Sequence, residues 1–182
     1  VKAIINHNRV PNITLRATDD SFVNLAEGGL TVVYVYPRIS PAQEGAIAGW
    51  DDIVGARGCT SQSCGFRDHF AELQEVGVKR LFGLSKQSTD EQKEAVQRLH
   101  LPFPLLSDNR LVFASALELP LFEVAGQTFM KRITLIINDG WVEHIFYPIH
   151  QPEQNASEVM TWLATQQASQ AQEINHTPPR SE

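Results

Sequence analysis

Cysteine is scarce in this chain, with only Cys59 and Cys64 in 182 residues. Two are too few for the disulfide framework of a small secreted protein. A structural zinc site would need two histidines beside them. The six histidines (His7, His69, His100, His144, His150, His176) are scattered and give no Cys/His ligand spacing. Positive charge is short as well, with 15 Lys and Arg against 21 Asp and Glu and a formal charge of −6. No basic cluster interleaved with aromatics offsets this, so nucleic-acid binding has no support. No apolar run approaches the roughly 18 residues that a membrane helix needs. Nothing at the N-terminus resembles a signal peptide. The expected setting is the cytoplasm, away from membranes, where a Cys-x4-Cys pair is more readily redox-active than metal-binding.

What is present fits one globular domain. A chain of 182 residues, 42% hydrophobic and 20% charged, is long enough for one real core and short for two. Residues 1–8 read as a lead-in, 9–167 as the domain, and 168–182 as a polar tail expected to be disordered, with Pro178-Pro179 near its end.

Within the domain, Ile13-Thr14-Leu15 and Phe22-Val23-Asn24-Leu25 flank the turn residues Asp19-Asp20-Ser21, which predicts an antiparallel hairpin. Leu30 to Tyr36 is a continuous β-branched and aromatic run stopped by Pro37, as suits a strand buried on both faces. Ala42 to Arg57, with Trp50-Asp51-Asp52 at its middle, reads as a long loop or an inserted short helix. Its carboxylates are expected to be exposed and its tryptophan packed. From Ser61 to about Val76 the pattern is helical, with Phe66, Phe70 and Leu73 on one core-facing stripe and Gly77 as its stop.

Val78 to Ser85 predicts the next strand, and Thr89 to Leu99 a helix. Leu101 to Leu106 is an extended piece that Pro102 and Pro104 push toward a sheet edge. Asn109 to Leu117 predicts a short helix. Lys131 to Ile137 and Trp141 to Tyr147 are strands joined by the hairpin turn Asn138-Asp139-Gly140. Asn155 to about Gln167 is the last helix. Phe82, Phe122 and Trp141 are candidates for a substrate or partner surface, while His144 and His150 read as non-catalytic. This order makes an α/β protein with a mixed central sheet covered on both faces. Periodicity alone does not separate a thioredoxin-like fold from a flavodoxin-like one.

The stretch that carries chemistry is Gly58-Cys59-Thr60-Ser61-Gln62-Ser63-Cys64-Gly65-Phe66-Arg67-Asp68. Cys59 stands at the start of a helix, where unpaired N–H groups and the positive dipole end favour an anion. Gly58 and the polar Thr60-Ser61 make poor neighbours for a buried structural cysteine, which is the alternative reading of either thiol.

The run Gly-Cys-Thr-x-x-x-Cys-x-Phe-Arg-Asp resembles the peroxiredoxin family, in its peroxiredoxin Q or bacterioferritin-comigratory-protein class. Tyr36-Pro37 at the end of a buried strand, and Arg132 early in the strand before Asp139-Gly140, match the family's pattern too. The resemblance spans about residues 10–165. It implies a thioredoxin-like fold with an N-terminal β-hairpin. The implied activity is reduction of hydrogen peroxide and organic hydroperoxides by thiols, without metal, flavin or other cofactor. Cys59 would be the peroxidatic thiol and Cys64 the resolving one, with Arg132, Thr60 and Pro37 in the site. Implied partners are the hydroperoxide and a thioredoxin, glutaredoxin or small-thiol reductant, and the implied assembly is a monomer or homodimer.

One departure matters. The family places a Thr or Ser three residues before the peroxidatic cysteine, and here that position is Ala56, at the end of the 42–57 insertion. Ser40 or Thr60 would have to supply the hydroxyl, or the backbone take its part. Cys64 also lies about 7.5 Å along the helix and about 140° round from Cys59, whereas a disulfide needs Cα atoms within about 4.4–6.8 Å. The implied Cys59–Cys64 bond therefore requires the first helical turn to unwind. Two other functions remain open. A thioredoxin-type disulfide oxidoreductase is disfavoured, since that chemistry uses Cys-x-x-Cys, and a non-enzymatic redox-sensing or binding module draws only on the insertion and Ala56.

Overall fold

Strand β3 (Thr31–Val35) is buried along its whole length, and the sheet is built outward from it. In this computed structural model, which describes residues 5–42 and 44–175, β3 pairs in parallel with β4 (Arg80–Ser85) and antiparallel with β8 (Ile133–Asn138). Beyond β4 lie β5 (Leu105–Ser107), β1 (Thr14–Ala17) and β2 (Phe22–Asn24). Beyond β8 lies β9 (Trp141–Phe146), giving the seven-stranded order β2-β1-β5-β4-β3-β8-β9. The mixed sheet and its N-terminal hairpin agree with the thioredoxin-like expectation. Among the described residues, no helix is long and apolar enough to cross a membrane.

Side chains alternate across a strand, so β3 feeds two cores. Val33 and Val35 pack with Phe82, Leu84, Leu135 and Phe113 on one face, which helix α4 (Val112–Leu117) covers. Val32, Tyr34 and Tyr36 pack on the other face with Phe66, Leu73, Leu99, Val159 and Leu163. Those partners come from α1 (Cys59–Asp68), α2 (Phe70–Glu75), α3 (Thr89–Leu99) and α5 (Asn155–Asn175). Gly83 leaves room for this: a Cβ there would meet Leu105 at 2.6 Å and the Tyr34 ring at 2.8 Å. The Tyr34 ring instead stacks on Phe66, with centroids 4.5 Å apart.

Several expectations need correction. The extended piece at Leu101–Leu106 is not at an edge, because β5 lies between β1 and β4. Pro102 and Pro104 precede the strand, so they cost it no ladder bond. The single helix expected from Ser61 to Val76 begins two residues earlier and is broken at His69, whose ψ of 8° departs from α geometry. The short helix expected from Asn109 starts at Val112. The last helix runs to Asn175 rather than ending near Gln167; residues 176–182 lie outside the described part. The lead-in is not peripheral, since Ile5 is fully buried and the backbone N–H of His7 donates to the Val142 carbonyl. Residues 1–4 are not described.

A second, two-stranded sheet was not foreseen, made by β6 (Leu121–Val124) and β7 (Gln127–Met130). The 42–57 insertion packs against it. Its described residues, 42 and 44–57, form a loop with one short 3-10 turn at Trp50–Asp52, and Trp50, Ala56 and Phe129 form a third small apolar cluster with Phe122, Val124, Ile47 and Ile53. As expected, Asp51 and Asp52 are exposed and Trp50 is buried.

Candidate active site

Cys59 is the first residue of α1, and its sulfur is almost inaccessible, with the residue 4% exposed. Gly58 delivers it there with φ of 102°, a left-handed conformation that other residues adopt only under strain. A Cβ at Gly58 would also meet Pro152 Cγ at 2.8 Å. No side chain caps this helix and its first turn carries no acidic residue. The positive end of α1 is therefore left to the thiol.

Arg132, immediately before β8, is 4% exposed and reaches across to α1. Its Nη2 donates to Cys59 Sγ at 3.3 Å. The same nitrogen lies 2.9 Å from the Arg57 carbonyl and 3.4 Å from those of Gly55 and Ala56. Nη1 donates to Gln62 Oε1 at 2.5 Å. Nε–H is buried and has no partner among the described residues. A guanidinium fork so divided is fixed in orientation: one branch holds the end of the insertion and the sulfur, the other holds α1.

Gln62 continues the network. Fully buried, it donates from Nε2 to Asn155 Oδ1 at 3.0 Å, and Thr134 Oγ1 donates to the same oxygen at 2.7 Å. Three elements, α1, β8 and α5, are thus tied through side-chain amides behind the thiol. Sequence reasoning missed Gln62, Asn155 and Thr134. The signal for Gln62 was its position three residues after Cys59, which puts both on one helix face.

Among the described residues, the hydrogen bonds of the sulfur involve neither hydroxyl candidate named from sequence. Thr60 and Ser40 are exposed, and Ser40 Oγ accepts from Arg38 instead. The group that faces the sulfur is the Ala56 carbonyl, to which the Cys59 thiol donates at 3.8 Å. The same oxygen accepts from the Trp50 indole N–H at 3.1 Å. Pro37 is buried at the end of β3, and the segment after it is held by Gln87, whose amide pairs with both backbone groups of Ile39 at 2.9 Å.

Cys64 is half-buried farther along α1, and both cysteines are free thiols. Its neighbour Ser63 accepts from the Tyr34 hydroxyl at 2.9 Å. Burial pushes the Tyr34 and Tyr36 phenols well above the usual tyrosine range. Of the proposed surface aromatics, Phe82 is a core residue and Trp141 is a surface ring beneath Arg9. Phe122 does line a cavity of 220 Å³, together with Val54, Gly55, Arg132, Tyr147 and Ile149. A second cavity of 430 Å³ shares Val54, Gly55 and Ile149 and extends past Arg57 and Gly58 to Pro152.

The redoxin family model matches residues 6–161. The chain is similar to the chloroplastic peroxiredoxin Q of Oryza sativa subsp. japonica, 30% identical over 155 residues, 84% of this chain but 64% of the rice protein. Among solved structures it is similar to the peroxidoxin BcpB of Mycobacterium tuberculosis, at TM-score 0.69 and 21% identity over 88% of this chain and 96% of that one. It is also similar to the bacterioferritin comigratory protein of Xanthomonas campestris, at TM-score 0.68 and 18% identity over 86% and 93%. The chain belongs to the redoxin family, and its relatives there are peroxiredoxins of the Q class.

Proposed function

We propose that this protein is a thiol-dependent peroxidase in which Cys59 reduces a hydroperoxide. The observation that carries this reading is the pairing of Cys59, at an uncapped helix start, with the Arg132 guanidinium 3.3 Å away. A thiolate is the required nucleophile, and both the helix end and the guanidinium favour it. Attack on the peroxide's terminal oxygen breaks the O–O bond. The sulfur is oxidised to sulfenic acid, and the leaving oxygen departs as water or an alcohol after taking up a proton. The Arg132 guanidinium, whose Nη2 is 3.3 Å from the sulfur, is the charged donor that would stabilise the leaving oxygen as its charge develops. The Xanthomonas relative is described by its alkyl peroxide reduction activity, and the apolar cavity beside Arg132 gives an alkyl group a place to lie.

In the second half of the cycle the Cys64 thiol condenses with the sulfenic acid, releasing water and forming a disulfide. Two electrons from thioredoxin, glutaredoxin or a small thiol then restore both thiols. We read the enzyme as cytoplasmic, free of cofactor, and monomeric or homodimeric. Intact-mass measurement after one equivalent of peroxide tests the resolving step. The expected product is a loss of two hydrogens from the wild type and a stable sulfenic acid in Cys64→Ser. Undiminished multiple turnover in that variant would remove Cys64 from the cycle.

A further inference from the structure

Arg132 Nη2 is contested. The Cys59 sulfur and the carbonyls of Gly55, Ala56 and Arg57 all lie within 3.4 Å of it. What decides how it is shared is whether those carbonyls have other donors. Ala56 O has one, the indole N–H of Trp50 at 3.1 Å. Trp50 is held for that bond by its own packing: it is 6% exposed, meets Phe129 edge-on with centroids 5.1 Å apart, and lies 5.7 Å from Phe122.

We propose that Trp50 is a positioning residue for Cys59, its indole N–H sharing the Ala56 carbonyl so that this carbonyl draws Arg132 Nη2 less strongly from the sulfur. The inference rests on the peroxidase reading only for its biological meaning; the geometry concerns the thiol itself. A buried carbonyl stripped of a donor is left unsatisfied and turns to whatever donor is nearest. Here there are two, Arg132 Nη2 at 3.4 Å and the Cys59 thiol at 3.8 Å. The first move draws the guanidinium from the sulfur, and the second bonds the protonated thiol. Both favour the thiol over the thiolate. The insertion thereby compensates for Ala56 standing where the family carries a hydroxyl.

The other titratable groups near the thiol are few. Tyr34 on β3 and Tyr36 just past its end face it and are kept neutral by burial. Cys64 lies farther along the same helix. Arg57 is exposed and ion-paired with Asp51 at 3.3 Å. His150 and Glu153 line the cavity that runs past Gly58. Changing Trp50 alters the ionisable side chain of none of them.

The test is the pH dependence of iodoacetamide alkylation of Cys59 in a Cys64→Ser background, with the full chain reduced. Trp50→Phe keeps an aromatic ring between Phe122 and Phe129 and deletes the donor. A second variant, with benzothienylalanine at position 50, keeps the ring shape as well and serves if Trp50→Phe does not fold. In both, the half-maximal pH is expected to rise by roughly half to one unit, so that alkylation at neutral pH slows about 3- to 10-fold, while the high-pH plateau is retained. Profiles that superimpose on the parent's, or that fall by one factor at every pH, would overturn the proposal and leave Trp50 a packing residue. Alkylation needs no peroxide, so a parallel peroxide-consumption assay tests the enzyme reading separately.

Discussion

Arg132 Nη2 stands 3.3 Å from Cys59 Sγ, although 73 positions separate the two residues in the chain. The contact exists because β8 lies beside β3 while α1 packs across the same sheet face. The central strand thus brings a strand-end cation to a helix-start thiol. Arg132→Lys keeps the charge but loses the planar fork that spans Gln62, the 55–57 carbonyls and the sulfur. The expected result is a fall of roughly 10²-fold in the rate of peroxide reaction, read by stopped flow under pseudo-first-order conditions. An unaltered rate would take Arg132 out of the chemistry.

Gln62→Leu fills the same space but leaves Arg132 Nη1 without its acceptor and takes one donor from Asn155 Oδ1. Loss of partners for buried polar groups, one of them charged, is expected to cost about 2–3 kcal/mol, measured by urea denaturation. The peroxide reaction should slow as well, since the guanidinium is then anchored on one branch only. A variant as stable as the wild type would show that the amide chain is not a structural tie.

Tyr36 is fully buried, and its hydroxyl lies near Ser85 and Gln92 without a hydrogen bond of good geometry. Burial raises its folded-state value above the unfolded value of about 10. Stability from the neutral phenol is therefore fully present below about pH 10 and is lost as the pH climbs toward the folded value. Tyr36→Phe is expected to reduce the alkaline slope of stability by about 1.4 kcal/mol per pH unit. At neutral pH it should stay within about 1 kcal/mol of the wild type, because no hydrogen bond is forfeited. Denaturant titrations from neutral to strongly alkaline pH check this, and identical slopes would contradict it.

Oxidation should loosen α1 locally. A disulfide between Cys59 and Cys64 cannot form across an intact turn, so amides from Gln62 to Gly65, the first that the helix pairs, are expected to lose protection from hydrogen exchange in the oxidised protein, with those of β3 and β8 unchanged. Cys64→Ser treated with peroxide should keep its protection. Equal protection of both states would mean that the two thiols do not pair.

Sequence made the sheet centre and the thiol legible, and for a common reason: both rest on local pattern. Leu30–Tyr36 is an unbroken β-branched and aromatic run, and Gly58 through Asp68 is a motif. What escaped depends on contacts far apart in the chain. Gln62 looks like one polar residue among serines until Asn155 and Arg132 arrive from α5 and β8. The β6–β7 hairpin had a signal, alternating residues around Ala125-Gly126, which both take positive φ, but its strands are only four residues each. The last turns of α5 are rich in Ala and Gln, good helix formers without apolar periodicity, so a pattern-based boundary fell short. Prolines misdirected the reading of β5, because they precede the strand rather than enter it. The role of the insertion was illegible altogether, since it turns on one backbone carbonyl.

The central claim is that Cys59 is a peroxidatic thiol, and the most direct measurement is the second-order rate of the fully reduced protein with hydrogen peroxide by stopped flow. The expected result is a rate far above that of free cysteine, abolished in Cys59→Ser and retained for a single turnover in Cys64→Ser. A wild-type rate no faster than free cysteine's would contradict the account.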